Sequence, residues 1–167
     1  MIVQVFSSRT RWLQVFAYGA VVSTYILILL GGYVTTSNSG LGCGESWPLC
    51  KNQVLPLLND PQLVIEFAHR VFNIVVTVFV AGTAVLAWTR FRGVKNVLLF
   101  STAGFAGLVA QVILGMVTVK TGLDPVVSDA HLGLASAVFA IVVVNAVLVW
   151  NLHHGLRNQV LVAARTA

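Results

Sequence analysis

Four apolar stretches, at about residues 12–34, 63–88, 97–119 and 131–152, constrain this chain more than anything else in it. Each has the roughly 20 residues a helix needs to cross the hydrocarbon core of a bilayer. Inside lipid a backbone must satisfy its own hydrogen bonds, which leaves the helix as the natural fold for such stretches. The chain is 57% hydrophobic and only 9% charged, where a soluble domain carries about 25% charge. The expectation is therefore an all-α membrane protein, a four-helix transmembrane bundle forming one domain over residues 1–167. Its surroundings are the lipid bilayer. The net charge of +5 is no nucleic-acid footprint, because the charges are few and sit at the ends of the apolar stretches.

The placement of those charges gives an orientation. Arg9, Arg11, Arg90, Arg92, Lys95, Arg157 and Arg165 fall on one side, and only Lys51 and Lys120 among the basic loop residues fall on the other. The positive-inside rule then puts both termini and the second loop in the cytoplasm. The acids Glu45, Asp60, Glu66, Asp124 and Asp129 all lie on or near the outer side. No small-residue cleavage pattern follows the first stretch, which reads as an uncleaved helix.

The first outer loop, residues 35–62, is long and rich in turn formers, and it ends in Asp60-Pro61. Aspartate as N-cap followed by proline in the first turn is a strong helix start. The second outer loop is short and ends the same way, in Asp124-Pro125. There is a further echo: Leu30–Thr36 (L-G-G-Y-V-T-T) recurs as Ile113–Val119 (I-L-G-M-V-T-V), which aligns Gly32, Val34 and Thr35 with Gly115, Val117 and Thr118. The two helix pairs thus read as parallel repeats related by an axis along the membrane normal.

Chemistry concentrates in Glu66–Asn73, E-F-A-H-R-V-F-N. Glu66, His69, Arg70 and Asn73 share one helical face, and ionisable groups in a spanning helix usually mark a site. His131 sits at the start of another span. His69 lies eight residues beyond Pro61 and His131 six beyond Pro125, a depth difference of about 3 Å. Two histidines at matched depth on helices running the same way suit a haem held between them, and bundle interiors take cofactors in this manner. Zinc is less suited, since no third or fourth ligand completes a tetrahedral site. Glu66 and Arg70, four apart, can pair simply to lower their burial cost. Alternatively Arg70 binds a haem propionate and Glu66 handles protons or stabilises positive charge at an oxidised carbon. Cys43 and Cys50, on the outer side where disulfides persist, are either a structural staple or a redox-active pair. Gln111 and Asn145 read as helix–helix hydrogen bonders. Trp12, Tyr33, Trp88 and Trp150 read as interface anchors, and His153 and His154 as a solvated pair in a cytoplasmic tail.

Four stretches, L-G-G-Y-V-T-T-S-N-S-G-L-G-C-G-E-S-W-P-L-C-K, E-F-A-H-R-V-F-N, Q-V-I-L-G-M-V-T-V and D-A-H-L-G-L-A, run in this order from about Leu30 to Ala135. Together they resemble the haem A synthase family. The resemblance implies an enzyme that oxidises the C8 methyl group of haem O to a formyl group, giving haem A for terminal oxidases. By the family pattern Glu66 is the catalytic carboxylate, His69 and His131 are paired axial ligands of haem iron, and Cys43 with Cys50 is the outer-loop pair. Familiar members have eight spans in two four-helix halves, one half for substrate haem and the other for a haem b that handles electrons. This chain corresponds to a single half, so either identical chains divide these roles in a homo-oligomer of a compact, single-repeat member, the preferred reading, or one site serves both. The resemblance also implies haem O as substrate, haem b as cofactor, an electron acceptor of unknown identity, and haem O synthase or terminal oxidase assembly as partners. The expected location is the plasma membrane of a prokaryote, multi-pass, with the site near the outer face. Three rivals use the same residues: a two-histidine b-type cytochrome relaying electrons, a thiol–disulfide membrane oxidoreductase built on Cys43 and Cys50, and a haem carrier.

Overall fold

The structure, a computed structural model, describes the backbone of residues 2–165 and the side chains of residues 10–159, 161 and 162. The chain forms four helices: α1 (Ile2–Thr36), α2 (Pro61–Arg90), α3 (Lys95–Lys120) and α4 (Pro125–Arg165). All four contain a segment long and apolar enough to cross a membrane. Each helix packs on its sequence neighbours, and α1 closes the ring against α4. That leaves α2 and α4 on one diagonal of the bundle, running in the same direction.

Both Asp-Pro signals start helices as their chemistry dictates. Asp60 accepts from the Gln62 N–H at 3.0 Å. Asp124 accepts from the N–H groups of Val126 and Val127 at 3.0 and 3.1 Å. These bonds satisfy donors that the first turn of a helix leaves without partners.

The end of the bundle that carries the termini is a dry cluster of Leu13, Ala17, Ala87, Phe91, Val97, Ala146 and Val149. A second cluster at mid-height joins Ala20, Val76, Val80, Leu108 and Val142. Between helices in lipid there is no aqueous hydrophobic drive, so association depends on close packing. The α1–α2 seam shows how this is done. A Cβ on Gly19 would collide with the Phe79 ring, and one on Gly82 with the Phe16 ring. The two phenylalanines thus each fill a glycine notch in the opposite helix, and their rings meet edge to face at 6.0 Å.

The tail beyond residue 152 is helical, and its two histidines are half-buried and partnered rather than a solvated pair, while 157–159 are exposed. Helix α4 continues through His153 and His154 to Arg165. His153 Nδ1 lies 2.9 Å from Thr10 Oγ1 on α1, and the His154 ring packs on Trp150 with centroids 4.1 Å apart. Hydropathy falls at residue 152 because the apolar run ends there, but nothing there caps the helix. Trp12, Tyr33 and Trp150 are about half exposed, at 59, 56 and 49%, as interface anchors would be. Trp88 differs: its indole N–H donates to Thr102 Oγ1 at 2.8 Å, tying α2 to α3.

Gly82→Ala should weaken the α1–α2 seam by about 1–3 kcal/mol, the usual range for overpacking. Unfolding of the purified protein in mild detergent measures it, and adding Phe16→Ala should recover part of the loss.

Candidate functional site

The two helix pairs superpose in detail at the end that carries the Cys43–Cys50 loop, in a register that the sequence echo misses by one residue. Helix α1 terminates with Asn38 in the left-handed region (φ 54°) and a 2.9 Å bond from Ser39 N–H to Val34 O. Helix α3 terminates with Gly122 in the same region (φ 65°) and a 2.9 Å bond from Leu123 N–H to Thr118 O. This is a common helix stop, in which a left-handed residue lets the chain turn back on its last carbonyls. Asn38 therefore matches Gly122, and Val34 matches Thr118. In the same register Gly31, not Gly32, matches Gly115.

The histidines confirm this correspondence. A Cβ on Gly31 would sit 3.2 Å from His69 Cε1, and a Cβ on Gly115 would sit 3.0 Å from His131 Cε1. Nothing lies within 4 Å of the Cβ position on Gly32. One residue is about 100° of helical rotation, enough to turn Gly32 away from the site. Each imidazole is thus seated on a glycine of the preceding helix. The two rings lie on diagonally opposed helices. In both, Nδ1 is buried and has no hydrogen-bond partner.

Glu66 lies one turn from His69 toward the loop and is buried. Its Oε2 accepts from the Cys43 N–H at 2.7 Å, and its Oε1 pairs with Arg70 Nη2. Arg70 in turn donates through Nη1 to two loop carbonyls, Ser46 O at 2.7 Å and Leu49 O at 3.0 Å. The sequence-level pairing of Glu66 with Arg70 is present, and it does more than offset burial. It latches the loop onto α2. Two N–H groups of Arg70, Nε–H and the second on Nη2, are not used in these bonds. Asn73, fourth in the stripe, is half-buried, and its carbonyl accepts from Thr77 Oγ1 at 2.8 Å.

The loop is a small folded cap. Cys43 and Cys50 form a disulfide, and both residues are buried against Leu63 with Phe67 beside them. Lys51 N–H returns to Cys43 O at 3.2 Å, and Cys50 bridges to Gln53. Lys51 and Asn52 take left-handed conformations, with φ of 48° and 61°. Gly42 approaches the Gln62–Leu63 backbone so closely that a Cβ there would collide with it. Burial of the disulfide fits a staple better than a pair exposed to a redox partner.

Gln111, assigned only a helix–helix bond on sequence grounds, proves to belong to the site. Its Nε2 lies 3.0 Å from the backbone O of His131 and 3.3 Å from His131 Nε2. Its place one turn before Gly115 was the available signal. Asn145 meets the helix–helix expectation, donating to Ser101 Oγ at 3.0 Å. Among the described residues, no group of three or more His, Cys, Asp or Glu side chains gathers to hold a metal ion. The donor set is two imidazoles on diagonally placed helices of the bundle. That set suits a group that brings its own equatorial ligands, as haem iron does.

Residues 14–166 match the COX15-CtaA family, cytochrome oxidase assembly protein. A protein named heme A synthase from Lysinibacillus sphaericus (strain C3-41) is 31% identical over 142 residues, covering 85% of this chain and 46% of its own length. The heme A synthase of Bacillus pumilus (strain SAFR-032) is 35% identical over 138 residues, covering 78% and 44%. That of Shouchella clausii (strain KSM-K16) is 34% identical over 127 residues, covering 75% and 42%. The chain therefore spans less than half the length of these curated relatives. No solved structure matches it.

Removing one partner of a buried ion pair typically costs about 3–5 kcal/mol, because the other charge is left uncompensated. Arg70→Met should accordingly release the cap. Hydrogen exchange should accelerate over residues 41–53 and stay unchanged in α3. Arg70→Lys, which keeps the charge without the fork, should fall between.

Proposed function

From the premise that the chain belongs to the COX15-CtaA family of cytochrome oxidase assembly proteins, we propose that it acts as a haem A synthase in the plasma membrane of a prokaryote. The reaction is oxidation of the C8 methyl group of haem O to a formyl group. The observation that carries this reading is the pair of glycine-seated, half-buried histidines on opposed helices with a buried carboxylate one turn from His69. That the matched relatives are named heme A synthase supports it.

In this reading His69 and His131 hold haem through its iron, and the bound haem supplies the redox chemistry. The protein fixes position. Two axial imidazoles set the plane of the porphyrin, and the free N–H groups of Arg70 suit a propionate through charge-assisted bonds. Glu66 stands beside His69 to take up or deliver protons near the reacting edge. The cap, latched by Glu66 and Arg70, excludes water from that edge, and positioning with exclusion of water is what a protein contributes to cofactor chemistry. The distribution of Arg and Lys supports a cytoplasmic location for both termini, and with it a site near the outer face.

The matched relatives are more than twice as long as the matched region. The proposed complement is a second copy of this chain, so that neighbouring copies divide the substrate and electron-handling roles, one with haem O and one with haem b. Electrons leave to an acceptor whose identity neither the fold nor the sequence specifies, and haem O synthase and the terminal oxidase are the natural neighbours of such an enzyme.

The test is to purify the protein from a host that supplies haem O, extract its pigments and identify them by mass. Wild type should yield haem A. Glu66→Gln should retain haem and accumulate haem O or a partly oxidised form, with formation of haem A reduced at least about 100-fold, the scale of lost proton-transfer catalysis. Haem b alone in both proteins would instead support the electron-relaying cytochrome, in which Glu66 is only the latch. Separately, native mass spectrometry from nanodiscs should find at least two chains per haem-loaded particle. A uniformly monomeric active enzyme would sink the division of roles.

A further inference from the structure

The two histidine seats are alike in their glycines and unlike in one residue. In the register that matches Gly31 with Gly115, Gln111 on α3 corresponds to Leu27 on α1. Leu27 packs into the apolar mid-height cluster, whereas Gln111 reaches the histidine of its own pair. Only the α3–α4 pair thus brings an amide from this position to its imidazole.

The geometry of that amide is informative. Gln111 Nε2 is 3.0 Å from the backbone O of His131, and a carbonyl oxygen can only accept. The contact fixes the amide with its NH2 toward His131 and its Oε1 away, and Oε1 is buried without a partner. The same NH2 stands 3.3 Å from His131 Nε2. An amide N–H donates to a ring nitrogen only where that nitrogen carries a lone pair. Read as a hydrogen bond, the contact requires the neutral tautomer with Nε2 unprotonated, which leaves the proton on the buried Nδ1. The Nε2 lone pair is also the one that an iron atom would take.

We propose that Gln111 is a positioning residue for His131: its amide keeps the Nε2 lone pair ready and the ring in place until haem iron takes that lone pair, making His131 the more firmly held of two unequal axial ligands. This rests on the reading of His69 and His131 as haem ligands. On iron binding the amide gives up the ring nitrogen and keeps the His131 carbonyl. Gly115, one turn further along the same helix, limits the ring as well, since its missing Cβ leaves just the clearance the imidazole occupies. His69 has the matching glycine but no amide, which makes it the ligand that lets go first when haem is exchanged.

The test compares haem-loaded wild type, Gln111→Met, Gln111→Asn, His69→Ala and His131→Ala, purified as the full chain in nanodiscs. Two readouts are used: the largest g value of the ferric low-spin signal, and the rate at which haem passes to excess apomyoglobin. Gln111→Met should keep low-spin haem, shift the g value and release haem about 10–100-fold faster, the scale on which outer partners of metal-bound histidines act. Gln111→Asn, one methylene too short to reach, should do the same, and it stands alone if the Met variant does not fold. Loss of haem uptake in either variant, with the haem-free unfolding transition unchanged, is the same result in stronger form. Unaltered g values and transfer rates within twofold of wild type would overturn the proposal, as would a change confined to the unfolding transition. Wild-type spectra in both His69→Ala and His131→Ala would instead sink the ligand reading beneath it.

Discussion

The buried Glu66–Arg70 pair is the interaction on which the rest of the site depends. An ion pair at the edge of an apolar bundle is tolerable only if its remaining hydrogen-bonding capacity is met. Helix α2 meets part of it by placing the partners four residues apart. The remainder must come from outside the helix, and the loop supplies it: the Cys43 N–H for the carboxylate and the Ser46 and Leu49 carbonyls for the guanidinium. The disulfide, buried against Leu63, reduces the number of shapes the loop can take before it docks. Cap and helix thus stabilise each other, and a polar necessity in α2 becomes a lid above the histidines.

Beneath the lid the architecture is a repeat with a deliberate inequality. Both pairs end their first helix with a left-handed residue, turn to an aspartate cap, and seat a histidine on a glycine. What differs is inserted into the first pair or substituted in the second. The first pair carries the capping loop and the ion pair. The second has only a tight turn there, and instead carries Gln111. One histidine therefore stands next to charge and the other next to a neutral amide, so a porphyrin between them would meet two chemically distinct faces.

Much of this was legible in the sequence, for reasons that also explain what was not. Length and hydropathy mark the four spans because lipid leaves a backbone few alternatives, and Asp60-Pro61 and Asp124-Pro125 mark two helix starts because capping is local chemistry. The stripe of Glu66, His69 and Arg70 follows from helical periodicity. The repeat was visible, but matching letters aligned Gly32 with Gly115, and letters carry no rotational phase. The end of α4 was misplaced because hydropathy reports where the apolar run stops, whereas a helix stops where its carbonyls find other partners. The latch was half visible: the i, i+4 pair is written in side chains, but the backbone groups that complete it are the same in every residue. Gln111 was hidden for a similar reason, since its target lies twenty residues away on another helix.

Glu66 holds the cap, and in the proposed function it also handles protons, so its coordination bears on both. A carboxylate offers about four lone-pair positions. The structure fills two of them, one on each oxygen, with the Cys43 N–H and Arg70. Two remain for a proton or a water. In the proposed function a proton would take one of the free positions, leaving both bonds in place but removing the charge that Arg70 pairs with. The two fixed donors hold the carboxylate in one orientation. The latch that closes the lid is also what aims the carboxylate.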